Sequence, residues 1–261
     1  MTLYISRDPS TTTCPVGHGL LEITTGGWGY HLKNVPWRFP TWEEATALCD
    51  NLDREVVAEH LIGLDWEWTT LPGWTPLSWQ LAMQTIRSAA DYACNLQPER
   101  GRPAAADRIW LYGLPMVMGT LDGLTPDQGN AIASRVLGRH ISSGLIQLCF
   151  SGYDREKYNW STEYAWLRDN KLPLAQQLYP GVRPLIYIHP RRLTASGAWG
   201  EFLPYRNFDN YLSAMSELGD LVFWWSNDTP ATMGRLRLLQ AMDVAGVLDE
   251  EKAKAIMEVP R

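Results

Sequence analysis

The stretch LIGLDWEWTT, residues 61–70, places an apolar run directly before two carboxylates. Leu61–Leu64 has the near-continuous apolar composition that is typical of a parallel strand buried on both faces. Asp65 and Glu67 follow two residues apart, and a tryptophan stands on each side of Glu67. Residues i and i+2 of an extended segment face the same way, so we expect both carboxylates on one face with their Cα atoms about 6.5 Å apart.

Two carboxylates this close together among apolar side chains cannot both ionise freely, so one of them is expected to keep its proton near neutral pH. A protonated carboxylic acid beside an ionised one is what the cleavage of a glycosidic bond requires. The ordinary alternative is that Asp65 caps a following helix or pairs with an arginine, while Glu67 is solvated.

Short apolar runs alternate with longer segments of helical periodicity along the whole chain. Seven segments are predicted to be strands: Thr2–Ser6, Leu20–Thr24, His60–Trp66, Arg108–Leu114, Leu145–Phe150, Arg183–His189 and Asp220–Trp225. Helices are predicted at 40–52, 76–96, 125–140, 161–170, 207–218, 229–243 and 248–261. Thr125 is expected to open one of them, because a proline at the first helical position follows it.

This alternation predicts a parallel α/β fold in a single domain over residues 1–261. A closed barrel and an open doubly wound sheet both fit the pattern. No glycine-rich fingerprint follows the first predicted strand, so nothing argues for a nucleotide site of the open sheet. We therefore expect an α/β, TIM-like (β/α) barrel, distorted to about seven strands.

Catalytic groups of such a barrel gather where the strands end. Besides Asp65 and Glu67, the ends of the predicted strands carry these polar or aromatic residues: Tyr112, Ser151, Tyr153, His189, Arg191, Trp224, Trp225, Asn227 and Asp228. Their convergence at one mouth indicates an active site. The glycine-rich segment at 24–34 is interpreted as a turn or a substrate-side loop that offers Trp28.

The stretch LIGLDWEWTTLPGW resembles the D-W-E segment of the hyaluronidase-like glycoside hydrolases, whose fold is a distorted barrel of roughly seven strands. The segments DRIWLYGLP, LIQLCFSGYD, RPLIYIHPRR and DLVFWWSND resemble later strands of that family in the same order. The resemblance runs from about Leu61 to Asp228, and only the D-W-E stretch is specific by itself.

The resemblance implies a role for each matching position. Glu67 would be the general acid and base, and Asp65 would orient and polarise a 2-acetamido group of the substrate, whose oxygen acts as the nucleophile. Tyr153 would donate a hydrogen bond to that oxygen, and Tyr112 and Trp225 would wall the sugar. Further substrate contacts are expected from Trp28, Trp68, Ser151, His189 and Asn227. The ordinary alternatives are that Tyr153 anchors a loop and that Trp225 belongs to the core.

The chain departs from the family in two respects, since Thr69 and Thr70 stand where the family has an arginine and the four cysteines do not suggest its disulfides. The net charge of −6 suits a long anionic polymer poorly. We therefore expect a retaining, substrate-assisted hydrolase of glycans or surface polysaccharides that contain N-acetylhexosamine. Two alternatives stay open: a glycosidase that uses a second carboxylate, such as Asp154 or Asp228, and a non-catalytic glycan-binding barrel of a bacterial or phage particle.

Other classes of function are disfavoured by what the sequence lacks. No basic stripe indicates a nucleic acid partner, and the five histidines show no metal-ligand spacing. No G-x-S-x-G motif indicates a serine hydrolase. We expect no cofactor, no metal and no membrane partner. No signal peptide is visible, which predicts a cytoplasmic location with release by lysis or within a phage particle.

Overall fold

The structure is a computed structural model, and it describes residues 1–7, 21–25, 61–64, 75–99, 109–117, 123–225 and 232–258. The strands are β1 Leu3–Arg7, β2 Leu21–Thr25, β3 Leu61–Leu64, β4 Ile109–Tyr112, β5 Ile146–Ser151, β6 Leu185–Ile188, β7 Arg191–Leu193, β8 Trp199–Phe202 and β9 Asp220–Trp225. The helices are α1 Pro76–Glu99, α2 Pro126–Ser142, α3 Trp160–Trp166, α4 Leu172–Leu178, α5 Tyr205–Leu218, α6 Thr232–Val244 and α7 Glu250–Glu258, and a π-helical turn, Leu167–Lys171, joins α3 to α4.

The strand order is β1-β2-β3-β4-β5-β6-β9, and it closes on itself as in a barrel. Each of these seven strands coincides with a predicted one, which confirms the α/β class and the TIM-like barrel. The helix predicted at 40–52 lies outside the described residues. The chain divides into two compact units, one of Met1–Thr25, Phe150–Leu172 and Arg183–Arg261, the other of Gly26–Cys149 and Pro173–Val182. That residues 1–261 form a single domain stays a prediction.

The first unit is built on four parallel strands in the order β2-β1-β9-β6. Ser6 of β1 is in register with Trp224 of β9, and Tyr187 of β6 is in register with Val222. Alternate residues of a strand face opposite sides, so Ser6, Tyr187 and Trp224 share one face. The opposite face is apolar and is covered by α5.

Helix α5 buries an apolar stripe at helical spacing against that face, formed by Phe208, Tyr211, Leu212, Met215 and Leu218. The turn from α5 into β9 passes very close to the start of β6. A Cβ at Gly219 would lie 2.1 Å from the carbonyl oxygen of Pro184. Only glycine permits this approach, because any side chain would displace the backbone of the neighbouring strand.

The second unit contains the parallel strands β3, β4 and the first part of β5, with α1 packed on α2. The indole of Trp79 is fully buried and donates a 2.9 Å hydrogen bond to the carbonyl oxygen of Gly129. Thr125 caps α2 in a capping box with Gln128, and Pro126 occupies the first turn, as predicted. Among the described residues, no helix combines the length and the apolar character needed to cross a bilayer.

Candidate functional site

The structure does not describe the two carboxylates that the sequence predicts to be catalytic. Asp65 and Glu67 lie outside the described residues, as do four others: Trp28, Trp68, Asn227 and Asp228. Strand β3 ends at Leu64, so Asp65 is the next residue in the chain after its carboxyl end. That is the position at which barrel enzymes carry catalytic groups.

The first unit brings together five ring side chains near the carboxyl ends of β5, β6 and β9. We call this set the aromatic cluster: Tyr153, Tyr187, His189, Trp199 and Trp224. Ring centroids are 5.5 Å apart for Tyr187 and Trp224, 6.2 Å for Tyr153 and Tyr187, and 5.2 Å for Tyr153 and Trp199. The ring of His189 stacks on Trp199 at 3.5 Å with an angle of 17° between the planes.

Each ring is placed by the strand or loop that carries it. Tyr187 is in β6 and His189 follows it by two residues, while Trp224 lies on the same face of β9 as Tyr187. The hydroxyl of Tyr187 donates a 2.8 Å hydrogen bond to Oγ of Ser6, and both side chains are buried. This bond fixes the Tyr187 ring over the end of β1.

Two buried ring nitrogens of the aromatic cluster have no hydrogen-bond partner among the described residues. They are Nε2 of His189 and Nε1 of Trp224. Nδ1 of His189 lies 3.1 Å from the backbone nitrogen and 3.3 Å from the carbonyl oxygen of Arg191, so it can accept from the first or donate to the second, and Nε2 is then the donor or the acceptor of the ring. Burial lowers the pKa of His189 to about 3, which keeps the ring uncharged at ordinary pH.

Buried polar atoms in proteins are nearly always paired, so unpaired donors call for an explanation, such as a bound ligand. Aromatic faces combined with a few polar groups are the usual lining of a small-molecule site. The aromatic cluster therefore suits an uncharged ligand that has both apolar faces and hydroxyl or carbonyl oxygens.

Trp225 does not belong to the aromatic cluster. It is only 1% exposed, and its ring lies 6.4 Å from that of Phe223, two residues earlier on the same face of β9. That is the face covered by α5, so the burial of Trp225 favours the core alternative, whereas Trp224 lies on the face of the aromatic cluster. A shift of one residue along a strand reverses the face, which is why adjacent tryptophans have different surroundings.

Ser151 and Tyr153 occupy the carboxyl end of β5 and the loop after it, as predicted. Oγ of Ser151 accepts a 3.1 Å hydrogen bond from Arg155, and Ser151 is buried. Tyr153 is half-buried, with its ring edge-on to both Tyr187 and Trp199. Tyr112 is half-buried at the end of β4 in the second unit, in register with Cys149 of β5.

The carboxylate of Asp154 is fully buried and both of its oxygens have partners in the protein. Oδ1 accepts the backbone N–H of Trp160 at 2.7 Å, and Oδ2 accepts Nε of Arg192 at 2.7 Å. These contacts argue against Asp154 as the second carboxylate of a glycosidase, because a nucleophile needs an oxygen that faces the substrate.

Glu163, in the first turn of α3, is a titratable residue that the sequence did not single out. Burial raises the pKa of its carboxyl group, and the nearby charges of Arg155 and Lys171 oppose that rise. An acid with a raised pKa is a candidate for proton transfer wherever it faces a substrate. Among the described residues, no group of three or more histidine, cysteine, aspartate or glutamate side chains could hold a metal ion.

The comparisons with known proteins yield likenesses of fold only. No family model and no curated protein matches the sequence. Bee venom hyaluronidase, solved with a hyaluronic acid tetramer, is similar with a TM-score of 0.41 and 14% identity over 92% of this chain and 70% of that one. A DUF72 family protein from Enterococcus faecalis is similar with a TM-score of 0.42 and 10% identity over 95% of this chain and 98% of that one. The chain thus has a weak structural similarity to one glycoside hydrolase.

Proposed function

We propose that the protein is a retaining glycoside hydrolase that cleaves glycans containing N-acetylhexosamine by a substrate-assisted mechanism. The observation that carries the proposal is the aromatic cluster, with its two unpaired ring nitrogens, at the carboxyl ends of barrel strands. The sequence supports it, because the D-W-E stretch directly follows the carboxyl end of β3. A sugar offers apolar C–H faces to the rings and hydroxyl groups to the ring nitrogens.

In this proposal Glu67 protonates the leaving oxygen and later takes a proton from the attacking water. Asp65 orients the 2-acetamido group, whose oxygen attacks the anomeric carbon. Tyr153 donates a hydrogen bond from its hydroxyl group to that oxygen, and the edge-on contacts with Tyr187 and Trp199 restrict the orientation of its ring. The remaining proposed substrate contacts are Trp28, Trp68, Tyr112, His189 and Asn227.

The side chains of the aromatic cluster favour an uncharged substrate. His189 stays neutral because burial lowers its pKa to about 3, so its ring takes part in hydrogen bonds without carrying a charge. The guanidinium of Arg192 is engaged by Asp154, and that of Arg155 is bound to Ser151. We therefore favour a neutral N-acetylated glycan over a polymer rich in uronate.

The proposal is tested by hydrolysis of chromogenic β-N-acetylhexosaminides and N-acetylated polysaccharides. We expect Glu67→Gln to lower the rate by about 10²–10⁴-fold, since a glutamine can neither give nor take the proton. Glu250→Gln, at an exposed position in the first turn of α7, is the matched control and should hydrolyse like the wild type. Undiminished hydrolysis by Glu67→Gln would contradict the assignment.

A second candidate is a barrel that binds glycans without cleaving them. It is favoured by the composition of the aromatic cluster, whose members all supply stacking surfaces or hydrogen-bond donors and none of which is a carboxylate. Measurable glycan binding by a wild-type protein that hydrolyses none of the substrates would select this candidate.

A further inference from the structure

The β7–β8 hairpin, residues 191–202, stands outside the barrel strands and carries one member of the aromatic cluster, Trp199. It pairs antiparallel with itself and is fastened to the loop after β5. The backbone N–H of Leu193 donates to the carbonyl oxygen of Asp154 at 2.8 Å, and the N–H of Glu156 donates to that of Leu193 at 2.8 Å. The carboxylate of Glu156 also accepts the N–H of Ala195 at 2.9 Å.

A salt bridge adds to these hydrogen bonds. Nε of Arg192 lies 2.7 Å from Oδ2 of Asp154, and the Asp154 side chain is completely buried whereas Arg192 is half-exposed. A hairpin held by backbone bonds and by a buried carboxylate has little freedom to move as a body. Trp199 is therefore carried on a fixed support.

Two rings contact the indole of Trp199. His189 stacks against it at 3.5 Å, and Tyr153 meets it edge-on at 5.2 Å with an angle of 86°. Trp199 is nevertheless half-buried rather than buried, so part of the residue is accessible to solvent. A large ring that is locked in place and partly exposed can bind a ligand at low cost in conformational entropy.

The printed ring contacts link Trp199 to Tyr187 and Trp224 through Tyr153. The ring of Tyr153 lies 6.2 Å from that of Tyr187 and 5.2 Å from that of Trp199, and Tyr187 in turn lies 5.5 Å from Trp224. In the proposed function Tyr153 binds the 2-acetamido group of the reacting sugar, so a ring lying on Trp199 would be a different residue of the same glycan.

We propose that Trp199 is a stacking platform for a second pyranose ring of the glycan, next to the ring that is cleaved, and that the β7–β8 hairpin exists to present it. The chemical class of this ligand rests on the proposed function. The platform predicts that the protein binds an oligosaccharide more tightly than a single sugar, and that the difference depends on Trp199.

The test is calorimetric binding of the β-1,4-linked tetramer of N-acetylglucosamine and of N-acetylglucosamine itself, performed in the Glu67→Gln background so that cleavage does not interfere. We expect Trp199→Ala to weaken tetramer binding about tenfold or more and to change monomer binding little, since a buried aromatic anchor dominates such contacts. Trp199→Phe keeps an apolar ring in the hairpin, so it should lose less affinity for the tetramer than Trp199→Ala.

Tyr158→Ala is the matched control, because Tyr158 is an exposed aromatic residue of the loop after β5 and contacts only Lys157 among the ring pairs described. Equal tetramer affinity in the Glu67→Gln protein with Trp199, Trp199→Phe or Trp199→Ala would overturn the platform, and so would a Glu67→Gln protein with Trp199 that binds the tetramer no more tightly than the single sugar. Failure of the glycosidase proposal appears separately, as hydrolysis that does not depend on Glu67, and leaves the comparison of affinities valid.

Discussion

His189 shows how burial sets the chemistry of a single residue. It is fully buried, its Nδ1 lies within hydrogen-bond distance of the backbone of Arg191, and burial lowers its pKa from 6.5 to about 3. As pH falls below 6.5 the unfolded chain takes up a proton at this position while the folded chain does not. The stability that the neutral ring contributes is therefore complete above pH 6.5 and is lost progressively as pH falls towards 3.

Replacing this side chain should remove that pH dependence. Between pH 6 and pH 4 we expect the free energy of unfolding of the wild type to fall more steeply than that of His189→Gln, by up to about 1.4 kcal/mol per pH unit. Urea denaturation of both proteins at pH 4, 5, 6 and 7 measures the difference, in which contributions of the other histidines cancel. Parallel curves for the two proteins would show that His189 titrates normally.

Which of two adjacent residues shares a face with the aromatic cluster is a residue-level question that the sequence left open. Trp224 and Trp225 are equivalent in the sequence, and only the pairing of Ser6 with Trp224 shows which one shares a face with Tyr187. Tyr187 itself lies within the apolar run LIYI, and this context predicts a core residue. Register between distant strands decides both cases, and a single sequence does not contain it.

Among the secondary-structure elements, some are specified by the local sequence and others by contacts between residues that are far apart in the chain. The strands of the barrel were predicted because each is a continuous apolar run, and α2 because Thr125 and Pro126 mark its start. The β7–β8 hairpin was not predicted, since RRL and WGEF show no apolar alternation. Its position depends on the distant Asp154, which no local pattern reveals.

The dependence of the β7–β8 hairpin on Asp154 can be measured by comparing two salt bridges that have the same N–O distance. Arg192 and Asp154 are 2.7 Å apart with the aspartate buried, whereas Arg168 and Asp169 are 2.7 Å apart with both side chains about half-exposed. We expect Asp154→Asn to lower the free energy of unfolding by about 1–3 kcal/mol, because the substitution weakens hydrogen bonds that are made by a buried carboxylate. Asp169→Asn should leave the free energy of unfolding nearly unchanged, because exposed salt bridges generally contribute little to stability.

The same pair of variants reports on the hairpin. Proteolysis at the exposed tip, residues 195–198, should be faster in Asp154→Asn than in Asp169→Asn when both are digested under native conditions. Equal stability and equal cleavage in the two variants would mean that the buried salt bridge does not hold the hairpin.

At the scale of the whole molecule, the sequence predicted the set of parallel strands, and the lack of a glycine-rich fingerprint favoured a closed barrel over an open sheet. The same seven apolar runs could form an open sheet, because the choice depends on which strand β1 lies beside. In the structure β1 pairs with both β2 and β9, and the backbone N–H of Thr2 donates to the carboxylate of Asp220 at 2.9 Å. The first and the last strand of the barrel are thus neighbours, although the chain between them is long.

The hydrogen bond from Tyr187 to Ser6 gives a direct test of the position of β9 between β1 and β6. The two residues are 181 positions apart, their oxygens are 2.8 Å apart and both side chains are buried, with β9 between their strands. In a double-mutant cycle of Ser6→Ala and Tyr187→Phe, we expect a coupling of about 1 kcal/mol in the free energy of unfolding. Ser142→Ala, at an exposed position in the other unit, should be additive with Tyr187→Phe. Additive effects of Ser6→Ala and Tyr187→Phe would mean that β1 and β6 do not flank β9, and the closed strand order would be wrong.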